Sequence, residues 1–481
     1  MKNIPKFLAL LVAFVIGGCE VTDLSPESEI VPENFYQTDE DANAAIAAAY
    51  SSILSYPNNL VMWGDARSDN TLRGNGAQPQ FVEFTENNIS PTNGFANWSG
   101  LYSGINRANL VIARIPGIQD PRVTELKKNQ LVGEALFLRA WQYFLLTRNW
   151  GDVPLLLEPY VGLDQDFKPV KTPAAQVIEQ VITDLNDAKS RLNASYNATS
   201  RRRAAKGTVY ALLTHVYMWK RDYANAAAFS DSLLNQPRIR TNYSLVTGAN
   251  YGTLFNDQFA TESIFEIDVF NTVNTLSNLT QTLLPNINVQ PVAGSGRLAP
   301  STRLVDAFEA NDLRRTATLG LPGQNPDNFN TPANITFPYV RKYTGQVVGN
   351  QRSGNDNFIV LRLADIILLR AEALNELNRT TDAITLVNQI RTRAGLPGTA
   401  ARTQEAVRQA ISQERLVELA FEGHRWYDLV RANRVTEALA VTSPTGTPYF
   451  PLRRNLTQRS LLPIANGELL LNSNLLPQNT Q

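Results

Sequence analysis

The chain has 481 residues, of which 43% are hydrophobic and 18% charged, so it can bury a substantial core. Lys+Arg and Asp+Glu total 44 each, which leaves no net charge to attract nucleic acid or an anionic membrane. The two histidines, His215 and His424, and the single cysteine Cys19 are too few for most zinc sites and for nucleophile triads. We therefore expect no cofactor, no metal ion and no nucleic-acid partner, while a site built from carboxylates alone stays open.

The N-terminus has the pattern of an export signal. Lys2 and Lys6 precede "FLALLVAFVIGG", an apolar run of 12 residues that is too short to span a bilayer but suits a signal peptide. The run ends in "IGGC", which resembles the lipobox of bacterial lipoproteins. We expect a signal peptide over 1–18 and lipidation of Cys19; the alternative is an incidental cysteine after an ordinary signal peptide. Acidic residues among Ser and Pro indicate a flexible tether over 19–38 and resemble the surface-export signal of Bacteroidota lipoproteins.

Most of the remaining sequence is typical of helices. Residues 39–54 begin with acidic cap residues, and residues 125–151 carry apolar residues at helical spacing until Gly151. Residues 203–235 and 358–397 each predict an apolar helix, a short polar turn and an Ala-rich second helix. The last two stretches resemble tetratricopeptide helix pairs.

Two long regions, 57–97 and 237–357, lack the helical period and are rich in polar and turn-forming residues. Only short strand-like runs such as 263–270 interrupt them. Loops of this length in a compact protein are usually functional. We expect one helical domain over 39–481 that carries both regions as insertions.

The segment "ERLVELAFEGHRWYDLVR", residues 414–431, combines many charged residues with aromatic ones. Placed on one helix, its apolar residues form a stripe that faces a core, and its charged residues lie beside the stripe. Glu422 with Arg425 and Asp428 with Arg431 are i,i+3 pairs that can neutralise one another. We interpret Arg425, Trp426 and Asp428 as structural residues that fasten this segment, called here the C-terminal signature, to the protein.

Two catalytic alternatives for the C-terminal signature fit less well. Glu418 and Glu422 would sit one turn apart on the same helix, whereas a glycosidase needs carboxylates that flank the bond from different elements. A metal site needs more ligands than His424 has near it in sequence, and the HExxH arrangement is absent. We therefore expect no catalytic residues here.

The C-terminal signature is very similar to that of the SusD/RagB family of outer-membrane nutrient-binding lipoproteins. The resemblance extends over the whole chain and includes the lipobox and, in the family's order, "ENFYQTDEDANAAIAAAYSSI", "WSGLYSGINRANLVIARI", "GEALFLRAWQYFLLTRNWGDVPLL", "LRLADIILLRAEALNEL", "VNQIRTRAGLP" and "LLPIANGELLLNSNLLPQN". It implies a mainly α scaffold of four tetratricopeptide-like helix pairs with ligand loops on one side. It also implies an outer-membrane lipoprotein that faces the cell exterior and covers a SusC-type, TonB-dependent transporter. Members capture oligosaccharides, or in some cases peptides, without breaking a bond.

Glycan recognition needs flat aromatic faces and planar polar side chains. The first long region supplies both, in the part of the chain where the family commonly places ligand contacts, and simple turn chemistry is the alternative for its polar residues. Trp98 and Tyr102, spaced i,i+4 beside apolar residues, are predicted to belong to the core. The predicted ligand-binding residues are Trp63, Asp69, Asn70, Arg73, Gln78, Phe81, Asn288 and Tyr339.

Three functions remain open from the sequence. The first is a lipoprotein that captures glycans, the second is a peptide-capturing lipoprotein of the same architecture, and the third is a surface glycoside hydrolase or a helical scaffold for other proteins. A hydrolase requires opposed acidic residues in a cleft, whereas a glycan binder requires an exposed aromatic platform. The identity of the ligand does not follow from the sequence, because ligand loops vary on a common scaffold.

Overall fold

The computed structural model describes residues 35–162, 165–193, 201–256, 258–269, 278–285, 294–324, 335, 337–348, 351–353, 356–440 and 460–479. The predicted signal peptide, Cys19 and Asn288 lie outside the described residues. Helices account for 56% of the structure and strands for 6%, which confirms the mainly α fold class. Within the described ranges, no helix combines the length and the apolar character that crossing a bilayer requires.

The helices are distributed along the whole described chain. They are α1 (Asp39–Ser51), α2 (Tyr56–Gly64), α3 (Pro79–Thr85), α4 (Ser99–Arg114), α5 (Glu125–Trp150), α6 (Ala174–Arg191), α7 (Lys206–Trp219), α8 (Tyr223–Asn235), α9 (Pro237–Arg240), α10 (Asn278–Leu283), α11 (Thr302–Ala307), α12 (Arg315–Thr318), α13 (Leu363–Glu376), α14 (Thr380–Arg393), α15 (Gln404–Glu418), α16 (Arg425–Arg431), α17 (Val435–Leu439) and α18 (Asn466–Leu471). Short 3-10 helices cover Gly94–Ala96, Ile115–Gly117, Gly248–Phe255 and Ser473–Leu475.

The strands are short and form only two-stranded antiparallel sheets among the described residues. They are β1 (Thr71–Arg73), β2 (Ser263–Ile267), β3 (Leu298–Pro300), β4 (Leu319–Gly320), β5 (Tyr339–Val340), β6 (Gln346–Val348), β7 (Gln351–Ser353) and β8 (Phe358–Arg362). The pairs are β1 with β3, β2 with β8, β4 with β5, and β6 with β7. The first pair joins the two long regions, since Thr71 lies opposite Pro300.

Helix α5 forms the centre of the N-terminal half. The Thr124 side chain accepts a hydrogen bond from the Lys127 amide at its N-terminus, and Gly151 ends it with a φ of 76°. From Gln130 onward nearly every residue is buried, because both α4 and α6 pack against it. The predicted helix over 125–151 is thereby confirmed.

The two predicted helix pairs are present as α7 with α8 and α13 with α14. Ala226, Ala371 and Ala383 have no exposed surface, so small side chains do occupy the contacts between helices. One boundary was wrong. Residues 358–362 form β8 instead of the start of a helix, because they pair with β2 and are buried over their whole length. The apolar run alone does not distinguish a buried strand from a buried helix.

The region 57–97 is more regular than expected, since it contains α2, α3 and β1. Both helices have Pro in the first turn and are short, with 9 and 7 residues, so each offers too few turns to show a helical period. Helix α2 places its residues from Leu60 to Gly64 inside the core. Trp63, a predicted ligand-binding residue, is therefore buried.

Candidate functional site

The C-terminal signature is two helices joined by a tight turn, and the prediction of one continuous helix was wrong. Helix α15 ends at Glu418, Phe421 and Gly423 adopt φ values of 64° and 81°, and α16 begins at Arg425. The turn packs directly on α2, where a Cβ at Gly64 would lie 2.1 Å from the Gly423 carbonyl oxygen. Close approach of the two backbones therefore requires glycine at position 64.

Glu418 and Glu422 are brought together around one guanidinium group instead of lining a cleft. Arg362 donates to Glu418 Oε1 at 2.6 Å and to Glu422 Oε2 at 2.6 Å. Lys342 donates to Glu422 Oε1 at 2.7 Å, and Arg314 donates to Glu418 Oε2 at 2.8 Å. These side chains are at most 1% exposed. The buried ionic network also includes Glu262, Asp312, Arg393 and Glu414.

The network keeps both glutamates ionised. Burial raises the pKa of Glu418, but the surrounding Arg393, Arg362 and Arg314 outweigh burial and hold that pKa well below its ordinary value. The pKa of Glu422 is likewise lowered, because Arg362 and Lys342 outweigh its desolvation. A general acid needs a raised pKa and access to substrate. These two carboxylates therefore serve as counter-ions in the core.

The three residues predicted to be structural all make buried contacts, and two of them reach distant parts of the chain. Arg425 donates to both carboxylate oxygens of Asp69, at 2.7 Å each, instead of pairing with Glu422. Asp428 accepts from Arg415 at 2.7 Å and from Arg431 at 3.0 Å, so the expected i,i+3 pair of Asp428 with Arg431 is formed.

Trp426 has no exposed surface and lies under the guanidinium of Arg67, whose Cζ is 4.1 Å from the ring centroid. Arg67 belongs to the segment that follows α2. Together with the Arg425–Asp69 pair, this contact joins the C-terminal signature to residues 67–69. The contacts of Arg425 and Trp426 fasten the C-terminal signature to another segment, whereas those of Asp428 join α15 to α16 within it.

Four predicted ligand residues in the first region are buried, which contradicts a direct contact with ligand. Trp63 and Phe81 are 1% and 3% exposed, and Asp69 and Asn70 have no exposed surface. The Trp63 Nε1 donates to the Phe95 carbonyl at 2.7 Å, and its ring packs edge-on against Trp150. An aromatic face must be exposed to stack on a sugar, and a polar group must be exposed to reach a hydroxyl, so these four positions were predicted wrongly from residue type alone.

The polar residues after α2 satisfy one another inside the protein. Asn70 donates to Asp65 Oδ1 at 2.7 Å and accepts from the hydroxyls of Ser68 and Thr71. Asp65 Oδ2 accepts from the Gly423 amide at 2.5 Å, which ties this loop to the turn in the C-terminal signature. Burial raises the pKa of Asp65 to about 7, against the lowering effect of its hydrogen bonds. The turn-and-loop alternative therefore describes this stretch better than ligand binding.

Tyr339 is also misplaced by the sequence prediction. It lies in β5 with 1% of its surface exposed, and its ring covers Gly320 so closely that a Cβ there would lie 1.9 Å from Cζ. Its hydroxyl donates to the Gln324 carbonyl at 3.3 Å. The tyrosine fills the space above a glycine in the paired strand β4, which is a packing role.

Arg73 and Gln78 are the predicted ligand residues that remain exposed among those the structure describes. The Arg73 side chain is 67% exposed, and its nearest ionic partner is Glu86 at 3.8 Å. Gln78 precedes α3, and the exposed Asn75 lies between the two. All three therefore present polar groups to solvent.

An aromatic residue that the sequence prediction overlooked lies close to them. The half-buried Phe95 packs edge-on against Phe81 and Phe84, with ring centroids 5.2 and 5.9 Å apart. The guanidinium of Arg297 lies over the Phe81 ring, with Cζ 5.0 Å from the ring centroid. The Arg297 backbone carbonyl accepts a hydrogen bond from the Gly74 amide. The end of β1, α3 and the 3-10 helix Gly94–Ala96 therefore form one surface. We call the side chains of Arg73, Asn75, Gln78 and Phe95 the first-loop surface.

A second exposed feature, which the sequence prediction missed, is an apolar groove of about 440 Å³. Tyr160 and Phe167, which stack with ring centroids 5.3 Å apart, line it together with Leu471 of α18. Trp98 and Tyr102 contribute to its inner wall; Trp98 is 2% exposed, as expected of a core residue, and Tyr102 is half-buried. We call this feature the aromatic groove.

Exposed apolar side chains concentrate around the aromatic groove. Of the ten large apolar residues that are exposed in the described part of the chain, six lie in residues 161–170 and 470–476. They include Phe167 at 55% and Leu471 at 75%. Such a concentration is typical of an interaction surface.

Comparison with known proteins identifies the family. Residues 314–481 match the family model described as "SusD family", and residues 23–218 match the model described as "Starch-binding associating with outer membrane". The chain is 30% identical to SusD-like protein P38 of Formosa agariphila, over 91% of this chain and 93% of that protein. The chain belongs to the SusD family. This confirms the resemblance seen in the sequence.

Solved structures of SusD-family proteins share the fold. A laminarin-binding SusD-like protein is 26% identical, with a TM-score of 0.75 over 92% of this chain and 99% of that chain. Surface glycan-binding protein A from Bacteroides fluxus has the same TM-score and coverage at 23% identity, which shows the fold alone. SusD-family proteins bind carbohydrate and associate with the outer membrane, and their role is one of binding instead of catalysis.

Proposed function

We propose that this SusD-family protein captures oligosaccharides on the cell exterior and passes them to a SusC-type TonB-dependent transporter in the outer membrane. The observation that carries the proposal is the full-length similarity to a laminarin-binding SusD-like protein. The buried ionic network supports a binding role, because the two carboxylates considered as catalytic candidates, Glu418 and Glu422, are ion-paired with Arg362 in the core.

The membrane association rests on the N-terminal sequence. Removal of residues 1–18 would expose Cys19 for acylation, and two or three acyl chains at roughly 0.8 kcal/mol per buried methylene hold a protein firmly at a bilayer. Residues 19–38 would then be the tether, and residues 39–481 the single folded domain. The acidic residues directly after Cys19 favour export of this anchor to the outer face of the outer membrane.

We place the glycan on the first-loop surface. Phe95 offers an apolar ring face for the C–H side of a sugar, held in position by Phe81 and Phe84. Arg73 and Gln78 offer planar polar groups for hydroxyls, and the weak partner at 3.8 Å leaves most of the Arg73 fork open to solvent. Asn288, in the second region, is proposed as a further contact.

The aromatic groove is the surface that we assign to the transporter. A sugar-binding site combines aromatic faces with several polar side chains, whereas the lining surface of the groove is mainly apolar and its large exposed side chains include Phe167 and Leu471. Apolar rims of this kind suit a protein partner better than a hydrated glycan. Leu471→Asp should reduce co-purification with the transporter and leave glycan affinity unchanged.

The test of glycan capture is isothermal titration of the purified mature protein against a panel of oligosaccharides, followed by chromatography of the sugars. We expect binding without cleavage, with a Kd on the order of micromolar to millimolar for a hydrated surface site. Phe95→Ala should weaken binding by roughly 1 to 3 kcal/mol, the range for a truncated contact residue at an interface. Phe167→Ala removes an exposed aromatic from the aromatic groove and is the matched control.

Each other outcome has a defined meaning. Loss of binding in Phe167→Ala with normal binding in Phe95→Ala would move the glycan to the aromatic groove. Binding of peptides but of no glycan would favour the peptide-capturing function. Release of shorter sugars by protein free of contaminating hydrolases would refute the non-enzymatic proposal.

A further inference from the structure

The fold brings the two histidines of the chain, 209 positions apart in sequence, into contact. His215 lies in α7, and His424 is the residue before α16. Their rings stack with centroids 5.6 Å apart and an interplanar angle of 21°. Along the chain His424 has no second ligand nearby, whereas in the fold a candidate ligand comes from a distant helix.

A carboxylate completes the group. Asp365, in the first turn of α13, places Oδ2 at 2.6 Å from His215 Nε2 and accepts a hydrogen bond from Arg415 on Oδ1 at 2.8 Å. One ligand atom from each of His215, Asp365 and His424 lies within 4.8 Å of the others. Two ligand atoms on one tetrahedral zinc ion are about 3.4 Å apart. A small movement of the rings would therefore close this group around an ion.

His424 carries an unused ligand atom. Its Nε2 is buried and has no hydrogen-bond partner among the described residues, and the whole residue is 8% exposed. Buried polar atoms in native proteins are almost always satisfied, so an orphaned imidazole nitrogen calls for a ligand. A cavity of about 30 Å³ borders both histidines, which is room for one water-sized ligand.

We propose that His215, Asp365 and His424 bind one divalent transition-metal ion, with zinc as the preferred ion. Two imidazole nitrogens and one carboxylate oxygen are the donor set that zinc and its neighbours in the first transition row accept, with water in the fourth position. The ion would join α7, α13 and the turn between α15 and α16. The site is separate from the first-loop surface, and its presence does not depend on what the protein captures.

The surrounding charges set the strength of the site. Arg415 is shared between Asp365 and Asp428, and Arg148 lines the same cavity as the histidines. These guanidinium groups oppose the charge of a metal ion, whereas Asp365 and Asp428 favour it. With three protein ligands and partly cancelling charges, binding should be weaker than at a closed structural site with four ligands.

The experiment uses the mature protein without a histidine tag, since a tag would supply competing ligands. Equilibrium dialysis with Zn²⁺ measures stoichiometry, and titration with Co²⁺ reports tetrahedral coordination through its visible absorption. His215→Gln keeps a side-chain N–H that can donate to Asp365 but removes the imidazole. Asp231→Asn, at an aspartate whose side chain is 51% exposed, keeps all three ligands and is the control.

We expect one equivalent of bound metal, a visible Co²⁺ absorption of the kind that tetrahedral coordination produces, and an increase in Tm when Zn²⁺ is added. His215→Gln should bind at least tenfold more weakly and lose both signals, while its Tm without metal stays near that of the wild type. Asp231→Asn should behave like the wild type. Absence of stoichiometric metal in the wild type, or equal binding by His215→Gln, would overturn the proposal; His424→Gln provides the same comparison if His215→Gln does not fold.

Discussion

A substitution at Asp69 distinguishes most clearly between a structural role and a ligand-binding role. The sequence predicts a ligand contact, whereas the structure shows a carboxylate with no exposed surface that accepts two hydrogen bonds from Arg425 and one, at 3.1 Å, from Arg303. Burial raises the pKa of Asp69, but Arg425 and Arg303 outweigh this effect and lower it. Asp69→Asn keeps the shape of the side chain and removes the charge that both guanidinium groups need.

The loss of unfolding free energy in Asp69→Asn depends on which arginine is left without its counter-charge. The Arg303 side chain is 23% exposed and can be hydrated, whereas that of Arg425 is 5% exposed and keeps only its hydrogen bonds to Ser412. Breaking a buried ion pair from one side costs about 3 to 5 kcal/mol. Because Asn can still accept one hydrogen bond, we expect a loss near the lower end, about 3 kcal/mol of unfolding free energy.

Urea denaturation of the wild type and Asp69→Asn measures this loss. Asp382→Asn is the matched control, because its partner Arg379 and the aspartate itself are 57% and 51% exposed, and exposed pairs contribute about 0 to 1 kcal/mol. Glycan affinity of folded Asp69→Asn should equal that of the wild type. A variant of normal stability that no longer binds glycan would refute the structural interpretation and restore Asp69 to the ligand site.

Three further predictions concern other parts of the chain. Trp426→Ala should cost about 3 to 5 kcal/mol, as for other buried aromatics, and lower Tm without changing the glycan affinity of the folded fraction; a stable variant without glycan binding would contradict this. Asp65 has a folded-state pKa of about 7, above its unfolded value, so the folded state binds the extra proton between these two pKa values. The stability of the wild type relative to Asp65→Asn should therefore fall by roughly 2.5 kcal/mol as pH rises from 5 to 8, and a pH-independent difference in urea denaturation would be inconsistent with this pKa. Cys19→Ala should leave a folded protein that no longer fractionates with the outer membrane, whereas retention in cells without the transporter would disprove the anchor.

Long elements and family motifs were predictable from the sequence because they extend over many residues. Helix α5 shows apolar residues over seven turns and ends at a glycine, and the helix pairs repeat one pattern twice. Short elements were not predictable, since α2 and α3 complete no more than two or three turns. The turn at Phe421 was also hidden, because Phe rarely adopts a positive φ and the flanking sequence continues the helical pattern.

The ligand-binding residues were predicted wrongly for a different reason. Trp63 and Phe95 are both aromatic residues near polar neighbours in sequence, yet Trp63 is buried and Phe95 is half-exposed. The distinction depends on how α2 packs against Trp150 and the turn at Gly423, which are contacts between residues far apart in sequence. Residue type therefore indicated the correct region of the chain but not the exposed positions. The partnership of His215 with His424 was hidden in the same way.

The buried ionic network also determines how the second long region can vary. Residues 237–357 contribute Glu262, the neighbouring pair of Asp312 and Arg314, and Lys342 to it, at intervals of roughly thirty to fifty residues. These three attachment points hold the region to α15, to the turn after α15 and to β8 through charge. Between successive attachment points, residues such as Phe265, Leu298 and Leu304 are buried in the core, whereas the exposed positions are not held by it. Substitutions at those exposed positions can therefore alter the surface offered to a ligand, so the fold can acquire new ligand preferences at little cost in stability.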